Sequence, residues 1–159
     1  APLALQNGQF DADTSGWTAS FGATVARSAS DAANNSRSGS LDLTLGAGDP
    51  TLAVEVAAAQ CISAAAGASY TASAQIFIAS GASTTGALGI WFYGSADCSG
   101  AIAGMIPAQF STTGGWSAVR ATGAAPADAR SMSVRLEAIK PIGQTSAEAL
   151  FDAVAVSSP

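Results

Sequence analysis

Three groups of residues in this chain could do chemistry. The first is acidic: Asp11 and Asp13 in the opening stretch NGQFDADTSGWT (Asn7 to Thr18), and Asp152 in the closing stretch ALFDAVAV. Such oxygens suit a hard cation like calcium, which takes about six to eight carboxylate, carbonyl or hydroxyl donors and needs neither imidazole nor thiolate. Asp11 and Asp152 are the candidates for that role, while Asp13 reads as a solvated turn residue. The second group is a pair of cysteines, Cys61 and Cys98. An even count in a chain so poor in charge favours a disulfide and an oxidising compartment over two buried thiols. By loop entropy such a bridge is worth about 4 kcal/mol.

The third group appears only when alternation along extended segments is used to assign sides. In Ser131 to Ile139, Met132, Val134, Leu136 and Ala138 form a core face, leaving Ser133, Arg135 and Glu137 opposite. In Ala87 to Tyr93, burying Leu88, Ile90 and Phe92 turns Trp91 and Tyr93 outward, where polar residues normally sit. In Ser69 to Ala79, burying Ala72, Ala74, Ile76 and Ile78 exposes Gln75 and Phe77. Gln75, Phe77, Trp91, Tyr93, Arg135 and Glu137 are therefore expected to line one outer face. Flat rings beside planar and charged hydrogen-bonding groups suit a pyranose, which has apolar C–H faces and hydroxyls of fixed geometry. The alternative is that a loop covers Trp91 or Tyr93 as part of a second small core.

Other chemistry is excluded by what is missing. The chain has no histidine, which removes Ser-His-Asp and Cys-His nucleophilic sites, imidazole acid–base catalysis and most zinc sites. Its glutamates are Glu55, Glu137 and Glu148. Only Glu137 falls on the expected outer face, so no glycosidase carboxylate pair is identifiable. GSADCSG and TTGGWS read as turns, since neither carries the lysine of a phosphate loop. Gln75-Ile76-Phe77 approaches the Gln-Ile-His strand motif of some jelly-roll polysaccharide lyases, but its third residue is not histidine.

The elements that must position these residues are strands. At 159 residues and 48% hydrophobic composition the chain is expected to form one domain, residues 1–159, with a sizeable core. Period-two segments recur about every ten residues between turn-forming Gly, Ser, Asn, Asp and Pro. The strands expected are Gly16 to Ala19, Thr24 to Arg27, Ser40 to Leu45, Ala53 to Val56, Ser69 to Ala79, Ala87 to Tyr93, Trp116 to Thr122, Ser131 to Ile139 and Ala149 to Val156. Alanine-rich Val56 to Ala66 and Gly123 to Ala129 would score as helix, but each lies between stronger strand signals. Such a set fits an all-β antiparallel sandwich of two sheets with jelly-roll topology.

Only 11% of residues are charged, the net charge is −5, and Lys140 is the sole lysine. No basic stripe exists for nucleic acid or an anionic membrane, and no apolar run is long enough to span a bilayer. Ala1-Pro2-Leu3 carries no leader features, so any secretion signal is expected to have been removed.

NGQFDADTSGWT, SGSLDL, GASYTASAQIFI and LFDAVAV resemble, in order, the landmarks of carbohydrate-binding modules of families 4, 16 and 22, which are galactose-binding-domain-like jelly rolls. The resemblance implies a structural calcium ion held by Asp11, the carbonyl of Gln9 and Asp152. The remaining ligands would come from the loop Asn35 to Ser40, through carbonyls or hydroxyls such as that of Ser38. It also implies aromatic side chains gripping a polysaccharide or oligosaccharide on one sheet face, in agreement with the alternation reading of Trp91 and Tyr93. The expectation is a secreted, non-catalytic, monomeric module of a larger protein. A calcium-stabilised structural or adhesive module without sugar binding comes second, and a stand-alone enzyme acting on polysaccharide comes last.

Overall fold

The computed structural model describes residues 4–20 and 22–159; the start at Ala1 to Leu3 lies outside the described residues. Ten strands form two antiparallel five-stranded sheets, and no helix occurs among the described residues. The first sheet orders β1 (Thr18–Ala19), β4 (Val54–Ser63), β9 (Ser131–Lys140), β6 (Thr85–Tyr93) and β7 (Ile102–Ser111). The second orders β2 (Thr24–Ser28), β3 (Ser40–Leu45), β10 (Ala147–Ser157), β5 (Ser69–Ile78) and β8 (Gly115–Ala124). Strands β3 to β10 thus interleave as 3-10-5-8 over 4-9-6-7, the two Greek keys of a jelly roll.

The core lies between the sheets and follows the alternation. Leu41, Leu43, Ala72, Ala74, Ile76, Ile78 and Phe151 point inward from the second sheet. Val56, Ala58, Leu88, Ile90, Phe92, Met132, Val134 and Leu136 meet them from the first. The alanine-rich stretch after Val56 continues as strand to Ser63, because its inner residues Ala58 and Ile62 fill this core. Strand β7 departs from expectation: Gly104 and Pro107 mask its period. It tolerates the proline because it is an edge strand with a bulge, where Pro107 and Ala108 together face Gly89.

Lys140 ends the inner face of β9 and is fully buried. Its ammonium donates to the carbonyls of Leu52 (2.6 Å), Gln144 (2.7 Å) and Pro141 (3.1 Å), tying the β3–β4 loop to the β9–β10 loop. Lys140→Met keeps the aliphatic stem but leaves these acceptors without a charged donor. It is expected to cost roughly 2–3 kcal/mol, read as a fall in melting temperature of roughly 5–10 °C.

Candidate functional site

Register places the outer side chains of the first sheet. Arg135 faces Ala59 on β4 and Gly89 on β6; Glu137 faces Ala57 and Ala87; Ser133 faces Cys61 and Trp91. Small residues therefore pave the face around one charged pair. The Arg135 guanidinium lies 3.6 Å from the centroid of the Trp91 ring, a cation–π contact. Its Nε donates to Glu137 Oε1 at 2.9 Å, and its Nη2 is 3.5 Å from Glu55 Oε1. Both charged residues are deeply covered, Arg135 at 6% and Glu137 at 4% exposure, and Nη2 of Arg135 has no hydrogen-bond partner. Burial pushes the Glu137 carboxyl above its usual range, and the nearby Glu55 charge adds to this against the opposing bond from Arg135.

The β7 edge adds two residues that the sequence reading did not single out. Met105 pairs with Trp91, and Phe110 pairs with Ala87, so both share the outer face. They are 56% and 60% exposed. Trp91 and Ala87 are four positions apart on β6, so Phe110 stands about 13 Å along the strand from Trp91. The missing signal was the strand itself: without β7, neither side chain could be given a side. Glu55 is a further correction, since it also reaches this face, through Arg135.

Two of the expected residues belong elsewhere. Gln75 and Phe77 do point outward, but from β5 in the second sheet, on the opposite side of the sandwich from Trp91 and Arg135. There Phe77 packs on Trp116 of β8 at 5.4 Å between ring centroids. Tyr93 is on the expected sheet but only 9% exposed, so it offers no platform. The disulfide Cys61–Cys98, with Cα atoms 6.0 Å apart, joins β4 to the β6–β7 loop. Cys98 N–H donates to Ser131 Oγ (3.0 Å), and Ser131 Oγ donates to the carbonyl of Ser95 (2.8 Å), while Ser131 pairs with Tyr93. Residues 94–100 are thereby drawn across the start of β9, closing that end of the face.

The acidic group converges at the second sheet. Val154 N–H donates to the carbonyl of Gly8 at 2.8 Å, beside a bulge of β10 where Ala153 takes a φ of 48°. A Cβ on Gly8 would collide with the carbonyl oxygen of Val154, so only glycine lets the opening segment dock here. Phe10 behind it is fully buried against Trp17. Arg27 holds the same segment through Nε to the Phe10 carbonyl (2.9 Å) and Nη2 to the carbonyls of Asp11 (2.8 Å) and Ser38 (2.9 Å). Gly39 is required beside it, because a Cβ would lie 2.4 Å from the backbone carbonyl oxygen of Ser28 and would also crowd the Arg27 guanidinium.

This docking brings Gln9, Asp11, Ser38 and Asp152 together around one cavity of about 360 Å³, with Gln75 and Asp31 in its wall. Asp31 was not singled out from the sequence. Burial pushes the Asp152 carboxyl up, with Asp31 acting in the same direction, although Asp152 accepts N–H bonds from Ala32 and Ala153. The Asn35 N–H holds Asp31 below its usual range. Ser38 Oγ donates to the carbonyl of Gln9 at 3.1 Å. Among the described residues no three Asp, Glu, His or Cys side chains form a ready-made metal cluster. A cation here would rest on carbonyls and a hydroxyl beside the carboxylates, all hard oxygen donors, and the donor set fits calcium. Asp13 instead accepts from Ser15 N–H, Ser15 Oγ and Asn7, as a turn acceptor.

No family model matches the chain, and no curated protein matches it. Solved structures do. The enzymatically active domain of bacteriophage CBA120 tailspike protein 4 is 17% identical with a TM-score of 0.73, over 99% of this chain and 21% of that one. TmCBM61, in complex with β-1,4-galactotriose, is 14% identical with a TM-score of 0.65, over 100% of both chains. A xylan-binding domain from family 22 is 20% identical with a TM-score of 0.67, over 99% of this chain and 96% of that one. Family 16 and family 4 modules match as well. The chain spans about a fifth of the tailspike domain and the whole of the smaller modules. Its fold is that of carbohydrate-binding modules, of the family 4, 16 and 22 type that its motifs resemble.

Proposed function

We propose that this chain is a non-catalytic carbohydrate-binding module that holds a polysaccharide or oligosaccharide on the outer face of the first sheet. The observation that carries this reading is the Trp91 ring stacked on Arg135, next to Glu137 and two exposed apolar side chains, Met105 and Phe110, on an otherwise small-residue surface. A sugar ring stacks on Trp91 or Phe110, and the half-exposed Glu55 exchanges hydrogen bonds with its hydroxyls, while the buried Arg135 and Glu137 hold Trp91 and Glu55 in place. The solved modules of this fold named for xylan and complexed with a galactan fragment support the ligand class.

One guanidinium holds both Glu55 and Glu137. That arrangement fixes them as hydrogen-bonding groups, where a glycosidase needs one acid free to give up its proton and one free to attack or activate water. The disulfide supports a secreted protein, and the match to part of a tailspike supports a module within a larger chain. The net charge of −5 argues against nucleic acid and membrane as partners.

Calcium would be held by the Gln9 carbonyl, Asp11, Ser38 and Asp152, with Asp31 beside them. It would neutralise the facing carboxylates and fasten the opening segment to the 29–38 loop.

Affinity electrophoresis through gels containing xylan, galactan or β-glucan tests the binding reading. Retardation by at least one polysaccharide is expected, reduced about tenfold in affinity by Trp91→Ala and less by Phe110→Ala. No retardation by any of them, or release of reducing ends on incubation, sinks the reading.

Melting in calcium chloride against melting in chelator tests the metal. Calcium is expected to stabilise by about 2.7 kcal/mol when present at 100 times its dissociation constant. Asp152→Ala is expected to erase that difference, and an equal melt with and without chelator in the unaltered protein removes the metal.

Glu137 makes a pH prediction. Its folded-state carboxyl lies above the ordinary value of 4.5, so the native state binds more protons than the unfolded one, and stability falls as pH rises from about there through the folded value. Chemical denaturation across that window is expected to show the decline, flattened in Glu137→Gln; identical pH profiles for the two proteins would refute it.

A further inference from the structure

We propose a second carbohydrate-binding site on the opposite side of the sandwich, in the cavity between Trp116 and the 29–36 loop. It does not rest on the Trp91 face, because its residues come from the other sheet and from a loop that Trp91 does not approach.

The cavity measures about 440 Å³, and Ser30, Asp31, Asn34, Asn35, Ser36 and Trp116 line it. That volume lies within the usual range for small-ligand sites. Its floor is an aromatic platform. Trp116 on β8 pairs in register with Phe77 on β5, and the two half-buried rings brace each other at 5.4 Å with planes inclined by 55°. A braced indole keeps its orientation without a ligand, which lowers the ordering cost of binding.

The wall is likewise held in place before any ligand arrives. Asn35 N–H donates to Asp31 Oδ2 at 2.7 Å, Asn34 N–H to the Asp31 carbonyl at 3.1 Å, and Arg37 N–H to Asn35 Oδ1 at 3.1 Å. Ala32 N–H to Asp152 Oδ2, at 2.9 Å, fastens the loop to β10. Asn34 adopts a φ of 59°, a left-handed conformation that asparagine tolerates better than most residues.

The lining chemistry selects the ligand class. No lysine or arginine lines the cavity, and one carboxylate does, so phosphates and acidic sugars are disfavoured. Amides that donate and accept, hydroxyls, a carboxylate acceptor and one flat ring make the complement of a neutral sugar, whose hydroxyls surround an apolar face. With two sites on opposite faces, the module would bridge two glycan chains or two stretches of one.

The test follows the indole N–H signals of Trp17, Trp91 and Trp116 in ¹⁵N-labelled protein, assigned with Trp91→Phe and Trp116→Phe. The protein is titrated with neutral β-linked trisaccharides of glucose, xylose and galactose. The Trp116 signal is expected to shift saturably with at least one of them, to keep that shift in Trp91→Ala, and to titrate at roughly five- to tenfold higher concentration in Asn34→Ala. A Trp116 shift with Trp91 silent supports this site while counting against the first face. The proposal is overturned if Trp116 is unmoved by every sugar, if its shift disappears in Trp91→Ala, or if Asn34→Ala titrates unchanged. A Trp116 shift produced by raising protein concentration alone, with none on adding sugar, would mark a contact between copies and also overturn it.

Discussion

Two sheets packed through a core of alanine, leucine, isoleucine and valine are the constraint on which the rest of this molecule depends. Small inner side chains let the sheets lie close, and where Gly86 stands even one added methyl would come within 2.5 Å of Ile76. Such an interior has no room for a charge that lacks a partner. Among the described residues, the charged side chains therefore lie on an outer face, at an edge or at an end. The places where functional chemistry can accumulate are set by that exclusion.

Three cations show how the exclusion is managed, each with different acceptors. Lys140 ends an inner face and spends its ammonium on loop carbonyls. Arg27 sits at an edge and spends its guanidinium on the carbonyls of the opening segment and of Ser38. Arg135 lies on an outer face and is shared among Trp91, Glu137 and Glu55, with one nitrogen left without a hydrogen bond. The first two serve the fold, since their acceptors are backbone carbonyls of the segments that they hold together. The third belongs to a layer of side chains, where it braces the Trp91 ring and the two carboxylates from beneath.

Much of this was legible one strand at a time. Alternation assigned the inner residues of β5, β6 and β9 because a strand with one buried face must repeat every second residue. Strand β7 escaped, since a glycine and a proline interrupt its period, and Met105 and Phe110 escaped with it. Tyr93 had the right parity and the wrong exposure. Parity says which way a side chain points, and only the three-dimensional packing decides how much of it solvent reaches. The joining of Gln75 and Phe77 to Trp91 and Arg135 failed for a related reason. Outward means two opposite directions in a sandwich, and one strand's pattern cannot tell them apart.

The sequence by itself determined the all-β class, the near-neutral surface and the absence of imidazole chemistry. These depend on composition and on short-range periodicity, which need no knowledge of what lies across the core. Only the tertiary structure decided which strands share a sheet, that Glu55 joins Glu137 on one guanidinium, that Asp31 enters the acidic cavity, and that Trp116 faces a loop from the far side. Those pairings join residues distant along the chain, and the jelly roll's crossovers between sheets, which no local pattern encodes, set them side by side.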